Sequence, residues 1–74
     1  IHQDAHVYAA LLDADESAVH VLAPGRRAYV HVARGEVTAN GQRLRAGDAL
    51  KATGERELRL EDGRDAEVLL FDLA

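Results

Sequence analysis

The chain has 74 residues, no cysteine and a formal net charge of −4. A chain this short makes one small domain spanning residues 1–74, which buries roughly 60% of its unfolded surface and usually needs a metal or a partner as a staple. Disulfides and thiolate metal sites are excluded. The acidic balance gives nucleic acid no electrostatic footing, and no apolar run reaches the ~20 residues of a membrane-spanning helix. The N-terminus, IHQDAHVY, lacks the charged and apolar regions of a signal peptide and has no initiator Met. These features fit a reducing cytoplasm and a chain cut from a longer protein.

In chain order, residues 2–4 read as a short polar lead-in. Ala5 to Leu12 is a strand, with Val7, Ala9 and Leu11 on one side and Tyr8, Ala10 and Leu12 on the other. Both faces are apolar, so the pattern predicts cover on both sides. A helix is the rival reading, because Ala and Leu are good helix formers. Asp13 to Glu16 is an acidic turn. It reads as a solvated loop; the spacing and glycine of a calcium loop are missing. Ser17 to Leu22 is the second strand, with Val19 and Val21 sharing a face and His20 opposite. Pro24-Gly25 turns the chain into Arg26-Arg27. That pair is either an anion clamp or edge charge that discourages strand pairing.

Ala28 to Leu50, AYVHVARGEVTANGQRLRAGDAL, organises the chain. Ala28, Val30 and Val32 alternate with Tyr29, His31 and Ala33, the period of a strand with one buried face. Gly35 is expected to end that strand and Glu36 to Ala39 to restart it. Asn40-Gly41 is a hairpin signal, since both central residues of a type I′ turn need positive φ. Gln42 to Arg45 returns, and Ala46-Gly47-Asp48 turns again. Ala49 to Ala52 is a short strand. Glu57 to Glu61 places Leu58 and Leu60 inward. Asp62-Gly63 is expected to turn into a last strand, Ala66 to Leu73, apolar on both sides and therefore central or at an interface. Short strands broken by glycine turns define an all-β sandwich or barrel.

Few residues offer chemistry. His2, His6, His20 and His31 are the histidines. His20 and His31, on different strands, are the fallback pair for a metal, although a catalytic site needs more ligands than two. Ser17 is the only serine and has no evident base and orienter. No glycine-rich phosphate loop is present, and no carboxylate pair stands out among the surface Asp and Glu residues.

The central stretch resembles a cupin, whose first motif is G-x5-H-x-H-x3,4-E-x6-G and whose second is G-x5-P-x-G-x2-H-x3-N. Tyr29 to Gly35 resembles the end of the first motif, Gly47-Asp48 the start of the second, and Asn40-Gly41 the connection between them. With the opening residues and the closing EVLLFDL, nearly the whole chain is similar to the C-terminal cupin half of pirin-like bacterial proteins, a group that includes quercetin 2,3-dioxygenases. The resemblance implies a small jelly-roll barrel or sandwich of short antiparallel strands.

Carried over residue by residue, the motif is empty of ligands. With Gly35 as its last glycine, the Glu position is Ala28. The His positions fall on Leu22 and Pro24, or on Val21 and Ala23, and no His follows His31. Strand parity puts Ala28, Val30 and Val32 toward the pocket and His31 outward. The resemblance therefore implies no catalytic, cofactor-binding or metal residue in this chain. It implies a divalent metal, iron or similar, in an N-terminal cupin that is the chain's structural partner. In the absence of that partner a homodimer through the apolar strand faces is expected. A small-ligand module with an apolar interior is the alternative, and a free-standing metal-dependent dioxygenase using His20 and His31 a further one.

Overall fold

A computed structural model describes residues 5–14 and 16–74. His2 and Asp15 lie outside the described residues. Six strands are formed: β1 (Ala5–Leu12), β2 (Ala18–Val21), β3 (Arg27–Ala39), β4 (Gln42–Arg45), β5 (Ala49–Thr53) and β6 (Glu57–Leu73). The opening segment is a strand, not the rival helix. Asn40 and Gly41 take φ of 46° and 83° at the β3–β4 hairpin, as their turn requires.

Two expected breaks are absent. β3 runs on through Gly35, and β6 runs on through Asp62 and Gly63. The two long strands pair antiparallel along their length, with register shifts between Val32 and Thr38. These shifts are bulges, which bend a pair sharply without ending it. They also exchange the two faces of β3. Ala28, Val30 and Val32 are buried before the bend, Val37 and Ala39 after it. Gly35 allows the bend, with φ of 74°; a Cβ there would fall on the backbone oxygens of Arg64 and Asp65. At Gly63 a Cβ would come 2.8 Å from the Cβ of Leu12. That glycine marks a close approach of strands rather than a turn.

The bent pair divides the chain into two four-stranded halves. One half joins β1 and β5 to the C-terminal part of β6 and the N-terminal part of β3. The other joins β2 and β4 to the remaining parts of β6 and β3. Their inner faces share one core, in which Val30, Val32, Val37, Leu58 and Val68 are fully buried. The Ala46-Gly47-Asp48 turn is pinned by Gly47 N donating to Val32 O at 2.8 Å and Val32 N to Asp48 O at 3.0 Å.

The outer faces differ from one another. Outside the first half, the register sets Val7, Phe71, Tyr29 and Lys51 abreast, and beside them Ala9, Leu69, His31 and Ala49. β1 was expected to be covered on both sides, but Val7 and Leu11 are 59% and 65% exposed. β1 is an edge strand with only β6 beside it among the described strands. The outside of the second half is charged. Glu36 pairs with Arg43 at 3.3 Å and Arg59 with Glu57 at 3.0 Å. Val19 and Val21 do share a face, and it is this outer one.

The bend at Gly35 is tested by comparison with the hairpin at Gly41, where φ is also positive but a Cβ meets nothing within 4 Å. Gly41→Ala should cost about 1 kcal/mol for left-handed backbone alone. Gly35→Ala should cost at least twice as much, because backbone must move as well. Equal losses in urea titrations would show that the β3–β6 corner is not tight.

Candidate functional site

Asp72 is the only buried polar or charged side chain among the described residues. It occupies the inward position after Val68 and Leu70 on β6, where alternation calls for another apolar residue. Ala28 stands opposite it on β3, Ala52 beyond that on β5, and His6 on the other side on β1. A carboxylate in such a position needs partners, because burial disfavours its charge.

Two residues from distant parts of the chain supply them. His20 projects inward from β2, in the other half of the fold, and its Nε2 lies 2.7 Å from Asp72 Oδ2. Arg26, just before β3, donates from Nε to Asp72 Oδ1 at 2.5 Å and from Nη2 to the Asp72 backbone oxygen at 3.1 Å. The hydrogen bond from His20 is the largest influence on Asp72. Together with Arg26 it outweighs burial and holds the carboxyl below the usual aspartate value. Tyr8 completes the group: its ring centroid is 4.8 Å from that of His20 and 6.4 Å from that of His6. The cluster ties the edge strand of one half to the edge strand of the other, between which no ladder runs.

An aspartate holding an imidazole is half of a general-base arrangement. The nucleophilic half is missing from the described residues, where Ser17 is exposed and has no hydrogen bond to His20. His20 and His31 are not brought together. His31 pairs with Leu69 on the outer face beside Tyr29 and Phe71, on the opposite side of the sheet from Asp72. No group of three or more His, Asp or Glu side chains among the described residues could hold a metal ion. Of the positions that match cupin ligands, Leu22 and Ala28 are buried apolar residues of the core, whereas Val21, Ala23 and Pro24 are exposed. In the acidic turn, Asp13 Oδ1 accepts from Ala14 N at 2.9 Å and Asp65 N at 3.1 Å, so that carboxylate ties the loop to β6.

Of the Arg26-Arg27 pair, Arg26 does clamp an anion, and the anion is the chain's own Asp72. Arg27 is exposed and donates to Ala74 O at 3.3 Å. Asp72 was not among the residues that the sequence singles out. Its signal was a lone acid at the inward parity of an otherwise apolar strand.

Two sheets that share long bent strands, with a common interior, define the double-stranded β-helix of the cupin class. The chain belongs to the family of quercetinase C-terminal cupin domains, whose match covers residues 1–73. It is 40% identical over 73 residues to the quercetin 2,3-dioxygenase of Escherichia coli K12, covering 99% of this chain and 32% of that protein. It is 36% identical over 74 residues to a pirin-like protein of Caulobacter vibrioides, covering 100% of this chain and again 32% of the relative. The crystal structure of the E. coli pirin YhhW in complex with nickel(II) superposes with a TM-score of 0.92 at 40% identity, over 99% of this chain and 32% of that one. A designed double-stranded β-helix, 19% identical, matches in fold alone with a TM-score of 0.63. The chain thus spans about a third of the length of its curated relatives.

The Asp72 cluster makes stability depend on pH with a definite sign. The carboxyl is depressed in the folded state, so its contribution is present above the unfolded value and is lost as pH falls through the folded one. Thermal melts should therefore lose stability below about pH 4. Asp72→Asn should lower stability at pH 7 and flatten that acid limb; an unchanged limb would mean that other carboxylates cause it.

Proposed function

We propose that this chain is the non-catalytic, metal-free C-terminal cupin of a quercetinase-type protein, and that it serves as structural partner to an N-terminal cupin carrying a divalent metal. The observation that carries this reading is the filling of the inward positions. Where a cupin would place its ligands, this chain has Leu22 and Ala28 in the core with Val30 and Val32, and the other candidate positions, Val21, Ala23 and Pro24, are exposed and equally without a ligating side chain. Side chains of that kind fill a small barrel and cannot ligate an ion. The relatives' length supports the same reading, since two thirds of each lies outside the matched segment. Dioxygenase activity, with the metal it uses, is then a property of the whole protein, acting in the cytoplasm.

The outer face of the β1–β6–β3–β5 half is the surface offered to the partner. Its two central rows carry Val7, Phe71 and Tyr29, then Ala9 and Leu69, and run out to Lys51 and to His31 and Ala49; the Tyr29 and Phe71 rings are 5.9 Å apart. A patch of this kind, larger than the exposed Val19 and Val21 among the charges of the other sheet, marks an interaction face. In the isolated chain a second copy takes the partner's place.

Two measurements test the proposal. Elemental mass spectrometry of the untagged chain, after incubation with excess Fe, Mn, Ni, Cu or Zn, should find well below one ion per chain. One tightly held ion per chain or per dimer would overturn the metal-free reading, and His20 and His31 would be the first residues to mutate. Light scattering should give a dimeric mass that falls to the monomer in Phe71→Glu. A monomeric mass across a wide concentration range would refute the apolar face as an association surface.

A further inference from the structure

The two halves of the fold meet tightly along β3 and β6 but not at the edge where β1 faces β2. These strands pair with different parts of β6, so no ladder joins them. Their inward residues at that level, Ala10 and Ala18, are small. A cavity of about 170 Å³ remains between the sheets, floored by Leu58 and Val68 and rimmed by Tyr8 and His20. It opens to solvent at the β1–β2 margin, where Val19 also borders it, and its floor has the inward parity opposite to the apolar outer face.

We propose that this cavity is a binding site for a small, neutral, single-ring aromatic molecule that carries a hydrogen-bond donor, with phenol or indole as the type. Size sets the first limit. An apolar cavity of roughly 150 Å³ accepts benzene, so this one takes one ring and little more. Chemistry sets the second. The walls are apolar, and a charged group placed against them would lose its hydration without replacement.

The imidazole at the rim sets the third. Asp72 holds His20 through Nε2, at 2.7 Å. In the neutral imidazole, Nε2 is then the donor and Nδ1 is left as an acceptor. His20 lines the cavity, and Nδ1 is the ring nitrogen that Asp72 leaves available to a ligand hydroxyl or ring N–H. The second nitrogen is thus committed by the same contact that fixes the ring's orientation. Tyr8, half exposed beside His20, supplies an aromatic surface at the mouth. An apolar pocket with one oriented polar group is the usual form of a small-molecule site.

The test is an NMR titration of the chain with phenol, with benzene and benzoate as comparison probes. Phenol should shift the methyl resonances of Ala10, Ala18, Leu58 and Val68 together, saturably, and give intermolecular NOEs to Leu58 and Val68. Benzene should bind several-fold more weakly and benzoate at least tenfold more weakly. His20→Phe should erase the preference for phenol over benzene. Ala18→Leu fills the cavity and should abolish binding while its spectrum remains that of a folded chain. Should that variant not fold, the NOEs in the unaltered chain decide.

Several outcomes would overturn the proposal. They are absence of NOEs at saturating phenol, equal affinity in a folded Ala18→Leu variant, and shifts confined to Leu69, Phe71 and Tyr29 on the outer face. The last would report the association surface instead, so failure here is separable from failure of the structural-partner role.

Discussion

The fold depends on the pairing of β3 with β6 through a bend. Each long strand serves both sheets, so the two sheets are parts of one hydrogen-bonded ribbon folded over on itself. The bend is possible because the bulges let the chain turn without abandoning backbone hydrogen bonds, which a buried chain could not afford to lose. Gly35 and Gly63 are the two points where side chains would collide with a neighbouring strand. The parity change in β3 follows from the same bulges, and it keeps Val37 and Ala39 inward after the corner. Without it, one half of the interior would be lined by Glu36 and Thr38.

A sandwich built on one bent ribbon is closed along the ribbon and open at its margins. The Asp72 cluster sits at such a margin. His20 from one sheet and Arg26 from the loop between them both reach the same carboxylate, 52 and 46 residues away in sequence. The contact holds the edges of the two sheets at a fixed separation, and with small Ala10 and Ala18 between them that separation is space. A buried ion pair of this kind gains little stability over an apolar replacement; what it supplies here is an oriented imidazole and a defined gap.

Much of this was legible in the residues. Alternation placed Ala28, Val30, Val32, Leu58 and Leu60 inward and His31 outward, and the Asn40-Gly41 hairpin falls where its turn chemistry puts it. Two errors share one cause. Gly35 and Gly63 read in the sequence as ends of strands, since glycine serves both for turning and for close approach, and sequence does not distinguish the two. The apolar pattern of β1 was read as burial on both sides, whereas one of its faces is exposed in the isolated chain.

The sequence by itself determined the local events: which segments extend, where the hairpin turns, and which side of each strand is apolar. These rest on side-chain period and on backbone preferences that act within a few residues. Tertiary structure alone decided that four expected strands are two long bent ones, and that Asp72, His20 and Arg26 form one cluster. It also decided which apolar face lies inside and which lies outside. Those outcomes depend on the register of strands far apart in the chain, and register is fixed by the packing of the whole core rather than by any one segment.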